Sequence, residues 1–291
     1  MKTTIGWTDH SLNPGIFGCS PKGPECLHCY AAKMAHRQVA MGNYPQGITE
    51  RTAEGVKWTG KVILGCHAYV VDAFAKLPKQ KRGRVFVTSM ADLFHWQVNS
   101  TFILNVYKEM AARPHLTFMV LTKRPDHLLE FWQALRVWDG GKYSELPNVY
   151  YGITGGTQGT FTERWALLRQ VEAPRYFVSL EPLLSSVVLP SDLLNLGDRV
   201  QVIWGGEQDA RARVMKPVDA RAIRDQLEGT GIKRYFKQWG TFLPASQMIP
   251  GVHTSFTDLA PGGDNTFIKV TKAGQSDLLD GVTYHEHLDL A

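Results

Sequence analysis

The 291-residue chain predicts an α/β fold, a (β/α) TIM-like or partial barrel with a small C-terminal appendage. Short β-branched or aromatic runs alternate with longer amphipathic stretches over about 235 residues. Most of the short runs are apolar throughout, as strands of a parallel sheet covered on both faces are. The last fifty residues lose this rhythm. A doubly wound open sheet is the alternative architecture.

In order, the expected strands are "TTIGW", "VILGC", "VFVTS", "TFMVL", "NVYYGIT", "YFVSL", "VQVIWGG" and "RYFKQW". The expected helices are "CYAAKMAHRQVAM", "TFILNVYKEMAAR", "RPDHLLEFWQALRVW", "TERWALLRQVE" and "DARAIRDQLEGTG", whose apolar residues recur at helical spacing. Residues 1–240 are therefore assigned to the barrel and 241–291 to a cap or hairpin appendage, in which "LAPGGDN" marks a loop. No internal repeat or low-complexity segment interrupts the chain.

Hydrophobic residues make up 44% and charged residues 20%, which excludes wholesale disorder. No apolar run approaches the roughly 20 residues that span a bilayer, and "MKTTIGWTDH" lacks the apolar core of a signal peptide. The expectation is a cytoplasmic protein without a membrane partner. In that reducing compartment, clustered cysteines more often bind metal or do chemistry than form disulfides.

The net charge of +5 comes from 32 Lys and Arg against 27 Asp and Glu. Part of it is local, since "KLPKQKRGR" gathers Lys76, Lys79, Lys81, Arg82 and Arg84 ahead of an apolar strand. Such a run is a solvated loop or a set of phosphate contacts.

Six expected strands end in polar residues: Ser89 and Asp92; Thr122, Lys123 and Arg124; Thr154; Ser179 and Glu181; Glu207; Lys237 and Gln238. Ligand sites of parallel sheets form at the C-terminal ends of strands, so these groups are expected at one mouth. Helix capping and loop solvation account for single cases.

The stretch "GCSPKGPECLHCYA" holds Cys19, Cys26 and Cys29, three of the four cysteines. It follows the first expected strand and leads into the first helix. A structural zinc site needs four ligands, which His28, His36, His10 or Cys66 would have to complete, and no zinc-finger or zinc-ribbon spacing is present. Inert thiols fit poorly in a polar, Gly/Pro-rich loop. Iron–sulfur ligation fits best, because three thiolates on a four-iron cube leave one iron open. Cys66, ending "VILGC", reads as a packed small apolar residue.

With "VFVTSMADLFH", "TFMVLTKRP", "LPNVYYGIT", "VSLEPLL", "IWGGE", "YFKQWG" and "KVTKAGQSDLLDG", the cysteine loop resembles the phage-associated radical SAM enzymes with a C-x6-C-x2-C motif, over almost the full chain. The resemblance implies a radical SAM type of barrel in which Cys19, Cys26 and Cys29 bind a [4Fe–4S] cluster and the open iron is chelated by S-adenosylmethionine (SAM). It implies reductive cleavage of SAM and hydrogen abstraction by a 5′-deoxyadenosyl radical, with a low-potential electron donor such as a flavodoxin.

By the same resemblance His28 lies near the adenine and Ser89 and Asp92 at the methionyl amino group, with Thr122, Thr154, Ser179 and Glu181 around ribose and carboxylate. Lys123, Glu207 and Lys237 are then the candidate catalytic groups. Tyr30, Arg124 and Trp239, with Lys79, Lys81 and Arg82, are left for substrate. Some such enzymes take part in phage DNA hypermodification, isomerising a glycine-bearing thymine so that a carbon–nitrogen link becomes a carbon–carbon link. DNA carrying a modified base is the implied partner, in the host cytoplasm for a phage-encoded chain. A radical SAM enzyme acting on a peptide or metabolite is one alternative, and a non-catalytic, metal-stabilised nucleic-acid-binding protein another. The chain departs from the family pattern at "WGGEQDA" and at "QSD" before "LLDG".

Overall fold

The computed structural model describes residues 3–248, 263–270 and 276–291. The fold is α/β, with a seven-stranded sheet whose strands follow one another in chain order, as in a partial barrel. A doubly wound sheet would reverse its order at a switch point, and this one does not. The chain divides into two compact units: residues 1–153, 163–176 and 289–291, and residues 154–162 and 177–288.

The first unit opens with β1 (His10–Leu12) and β2 (Ile16–Phe17), then α1 (Tyr30–Ala40). A hairpin of β3 (Thr49–Thr52) and β4 (Gly55–Trp58) follows, then β5 (Ile63–Leu64) and α2 (His67–Ala75). The remaining elements are β6 (Gly83–Val87), α3 (Ser100–Ala111), β7 (Leu116–Thr122), α4 (Pro125–Asp139), β8 (Val149–Thr154) and α5 (Gln158–Leu168), the last two running into the second unit's residues. Strands β1, β6, β7 and β8 pair in parallel in that order. The expected runs from "VFVTS" to "NVYYGIT" thus become sheet strands because side chains on both faces are covered: β8 is buried at all positions. Two helices start on clear signals, α3 on Asn99, whose side chain accepts from Phe102 N (2.9 Å), and α4 on Pro125. Gly140 ends α4 at φ 62°, a left-handed conformation that favours glycine.

Three sequence expectations are corrected here. "TTIGW" is not a strand: the first strand is His10–Leu12, while Trp7 packs on Phe86 (centroids 4.7 Å apart) and Thr8 Oγ1 donates to Arg84 O (3.0 Å). "VILGC" is not a strand of the main sheet either, since Ile63–Leu64 pairs antiparallel with β2 instead. Cys66 is consequently exposed at the N-terminus of α2 rather than packed in a core.

The second unit holds β9 (Tyr176–Leu180) from its second residue on, α6 (Ser191–Leu194), β10 (Val200–Gly205), α7 (Pro217–Leu227) and β11 (Lys233–Gln238). After them come β12 (Phe242–Pro244), β13 (Phe267–Lys269), β14 (Leu278–Leu279) and β15 (Val282–Thr283), forming two small antiparallel pairs. The chain near Tyr284–Glu286 runs along β11, with Phe236 N donating to Tyr284 O (2.8 Å) and Glu286 N to Arg234 O (2.9 Å). That cover protects the outer edge of β11. The expected "LAPGGDN" loop lies largely outside the described residues.

Candidate metal and cofactor site

The cysteine loop is set by its backbone. Gly18 sits at φ +102°, and a Cβ there would lie 2.0 Å from Lys61 O, so the residue before Cys19 has to be glycine. Cys26 closes a 3₁₀ turn over Pro24–Cys26, and Cys29 caps α1 without a side-chain bond, which leaves its thiol free at a helix N-terminus. Cys19 and Cys29 both pack against the cluster of Phe17, Ala31, Ala32, Ala35, Val39, Ile48 and Trp58. All three thiols of the loop are half-buried and none is bridged. Burial, followed by the charge of Asp92, pushes the Cys19 thiol up to about 12.

Within this unit, the turn after β6 and the end of β7 meet beside the loop. Thr88 has φ 60°, an unusual conformation for a β-branched residue, just ahead of the "SMAD" segment. Ser89 Oγ bonds Ser11 Oγ (2.6 Å), and the exposed Tyr30 donates its hydroxyl to Ser89 O (2.8 Å), tying α1 to this turn. Buried Asp92 accepts from Phe94 N (3.0 Å), Thr122 Oγ1 (2.7 Å) and Lys123 N (3.0 Å), and faces the Arg124 guanidinium at 3.7 Å. Its carboxylate is therefore mostly committed to organising the Thr122–Arg124 turn. Burial works against the charged form of Lys123, but the thiolates of Cys26 and Cys29 and the Asp92 carboxylate outweigh it and hold this ammonium above its ordinary range. His28 is half-buried in the loop.

Four residues that sequence reading missed complete this arrangement. Ser20 Oγ bonds His95 Nε2 (2.8 Å), and Arg124 donates to Ser20 O (2.9 Å) and Oγ (2.8 Å). On the other side of the loop Glu25 and Arg164 form a buried ion pair (3.3 Å). No spacing signal links residues this distant in sequence. A Glu inside a Gly/Pro loop was the one available hint.

The remaining predicted residues are distributed otherwise. Lys79, Lys81 and Arg82 are exposed ahead of β6, at the opposite end of that strand, itself roughly 16 Å long, from Ser89 and Asp92. Arg82 bonds the main-chain oxygens of Leu290 and Ala291, and Arg84 pairs with Asp9 (3.5 Å). In the second unit Lys237 donates to Glu181 (2.6 Å), and Glu207 accepts from Arg213 N (2.8 Å) and Nε (3.0 Å). Thr154 and Ser179 are buried at the ends of β8 and β9. Trp239, expected to stack on substrate, is instead core: it is buried, its indole donates to Leu278 O (2.8 Å), and Phe236 packs edge-on against it.

Among the described residues no three His, Cys, Asp or Glu side chains come close enough to hold a single metal ion. A four-iron cube spreads its thiolates farther apart than one ion does, and three half-buried thiols on one loop beside a cation suit such a cube. Among those residues, too, no helix is long and apolar enough to cross a membrane.

Fold and site together define an α/β protein with a cysteine-bearing loop beside the C-terminal ends of β6 and β7. The chain belongs to the family described as protein of unknown function (DUF5131), which matches residues 2–287. No curated protein matches the sequence. Among solved structures, the chain is similar to spore photoproduct lyase complexed with dinucleoside spore photoproduct, at 11% identity and a TM-score of 0.37. It is also similar to a doubly substituted mutant of spore photoproduct lyase with bound AdoMet and dinucleoside spore photoproduct, at 10% identity and a TM-score of 0.38. Each comparison covers 79% of this chain and 63% of the other, so the chain spans less than two thirds of their length.

Proposed function

We propose that the protein is a radical SAM enzyme in which Cys19, Cys26 and Cys29 hold a [4Fe–4S] cluster. The observation that carries this reading is the C-x6-C-x2-C loop: three half-buried, unbridged thiols leading into α1. The chemistry that such a cluster supplies is reductive cleavage of SAM, with hydrogen abstraction from substrate by the resulting 5′-deoxyadenosyl group.

The chain's own residues supply placement and charge. Lys123 offsets the negative charge of the thiolates, and Asp92 fixes its backbone through Lys123 N. Tyr30 ties the start of α1 to Ser89, in the turn to which this reading assigns the methionyl end of SAM. His28 is assigned to the adenine side. Thr122 donates its hydroxyl to Asp92; the resemblance assigns Thr122, Thr154, Ser179 and Glu181 to the ribose and carboxylate of SAM.

For substrate, the reading takes a modified base in DNA, with isomerisation of a glycine-bearing thymine as its specific form. It places the reaction in the cytoplasm with a low-potential donor such as a flavodoxin. Support comes from the sequence resemblance and from the exposed Lys79 and Lys81. A peptide or small metabolite is the second reading. The burial of Trp239 favours it, as does the position of the basic run at the far end of β6.

The test is anaerobic incubation with SAM, a reductant and a duplex carrying glycyl-modified thymine, read by mass spectrometry. Formation of 5′-deoxyadenosine and an isomerised base above an unmodified duplex is the expected result. Turnover with a peptide or amino acid but not with the duplex would install the second reading. Iron without any SAM cleavage would leave a non-catalytic nucleic-acid-binding protein.

A further inference from the structure

We infer that Arg124 and Arg164 are positioning residues that brace the six residues between Cys19 and Cys26; the inference rests on the cluster reading above and deepens it. The segment "SPKGPE" contains two prolines and a glycine and, apart from its final 3₁₀ turn, forms no regular structure. Left to itself, such a loop would sample many conformations and carry Cys19 relative to Cys26 with it.

Two guanidinium groups remove that freedom from opposite ends. Arg124, 3% exposed at the end of β7, holds the start of the segment through Ser20 O (2.9 Å) and Ser20 Oγ (2.8 Å), and His95 holds the same hydroxyl at 2.8 Å. Arg164, 3% exposed on α5, holds the rest: it donates to Lys22 O (2.9 Å) and pairs with Glu25 at 3.3 Å, where the Glu25 side chain has no exposed surface. Gly23 lets this fork close, because a Cβ there would lie 2.5 Å from Glu25 Oε2 and 2.6 Å from Arg164.

Each guanidinium is charge-balanced, Arg124 by Asp92 (3.7 Å) and Arg164 by Glu25. The braces therefore add geometry beside the thiols with little net charge. A lysine would keep the charge but lose the fork that reaches carbonyl and carboxylate together. The loop is thus shaped before a cluster arrives.

The test uses the full chain with Glu25→Leu/Arg164→Met, since replacing a buried ion pair by apolar side chains of similar volume is often neutral for folding. Arg164→Lys serves as a second variant should the first misfold. Three quantities are read: the unfolding midpoint of the apoprotein, hydrogen exchange over residues 20–26, and the rate at which a chelator strips iron from the reconstituted protein. Exchange and iron loss about tenfold faster, with the unfolding midpoint close to that of the unaltered chain, is the expected result. Unchanged exchange and iron loss in a folded variant would overturn the brace. If the unaltered chain takes up no iron, the cluster reading fails. Exchange at 20–26 then decides the brace by itself, and no change there overturns it.

Discussion

Lowering the pH should destabilise this protein specifically through His95. The ring is 1% exposed, its Nδ1 accepts from Gln97 N (3.2 Å), and Nε2 lies 2.8 Å from Ser20 Oγ. Because Nδ1 accepts, the neutral ring carries its hydrogen on Nε2 and donates it to Ser20. Protonation would set two donors against each other at Nδ1. Burial, and next the positive charge of Arg124, lower the His95 pKa to about 4. The unfolded chain titrates near the ordinary value of about 6.5, so between these values it binds more protons than the folded one. The contribution is fully present above about pH 6.5 and is lost progressively as pH falls toward 4. A pH of about 5 lies about 1.5 units below the unfolded value, and at about 1.36 kcal/mol per unit the loss is about 2 kcal/mol. His95→Gln keeps an amide donor for Ser20 and removes the titration. Urea unfolding of both apoproteins at about pH 7 and about pH 5 isolates the contribution, because other acid-sensitive groups cancel in the difference. The unaltered chain should lose about 2 kcal/mol more than the variant. Equal losses would refute the neutral, donor-facing histidine.

Gly18→Ala should destabilise by about 3 kcal/mol in chemical denaturation, since the new Cβ meets a main-chain oxygen at 2.0 Å and the backbone is left-handed; a loss under about 1 kcal/mol would contradict the stated geometry. Tyr107 and Tyr151 share a fully buried hydroxyl pair at 2.8 Å. Tyr151→Phe, which orphans the Tyr107 hydroxyl, should cost about 1–3 kcal/mol, and Tyr107→Phe/Tyr151→Phe together should cost less than either single change. Additive losses in the double variant would count against the pair.

The sheet from β6 to β11 was legible because its strands are apolar runs bounded by turn residues, and covering both faces leaves no alternation to misread. Shorter elements were not. His10–Leu12 is three residues with a histidine and a serine, whereas "TTIGW" has better strand composition but spends Trp7 on core packing. The β3–β4 hairpin, "TERTAEGVKW", is mostly polar, and β5 is two residues long. At the site the cysteine spacing stood out because the three thiols are local in sequence. The Ser20–Arg124 and Glu25–Arg164 contacts join residues 104 and 139 positions apart, and nothing in spacing marks such pairs. The polar strand ends themselves were legible as the places where apolar runs stop. Pairing of Lys237 with Glu181, and of Glu207 with Arg213, depends on tertiary neighbours that sequence does not name.

Iron and acid-labile sulfide counted per chain after anaerobic reconstitution decide whether the loop cysteines hold a cluster, in the unaltered protein, in the Cys19/Cys26/Cys29→Ala variant and in Cys66→Ala. The expected result is roughly four iron and four sulfide per chain in the unaltered protein and in Cys66→Ala, and essentially none once the three loop cysteines are gone. Zinc in place of iron, retention in the triple variant, or loss in Cys66→Ala alone would contradict it.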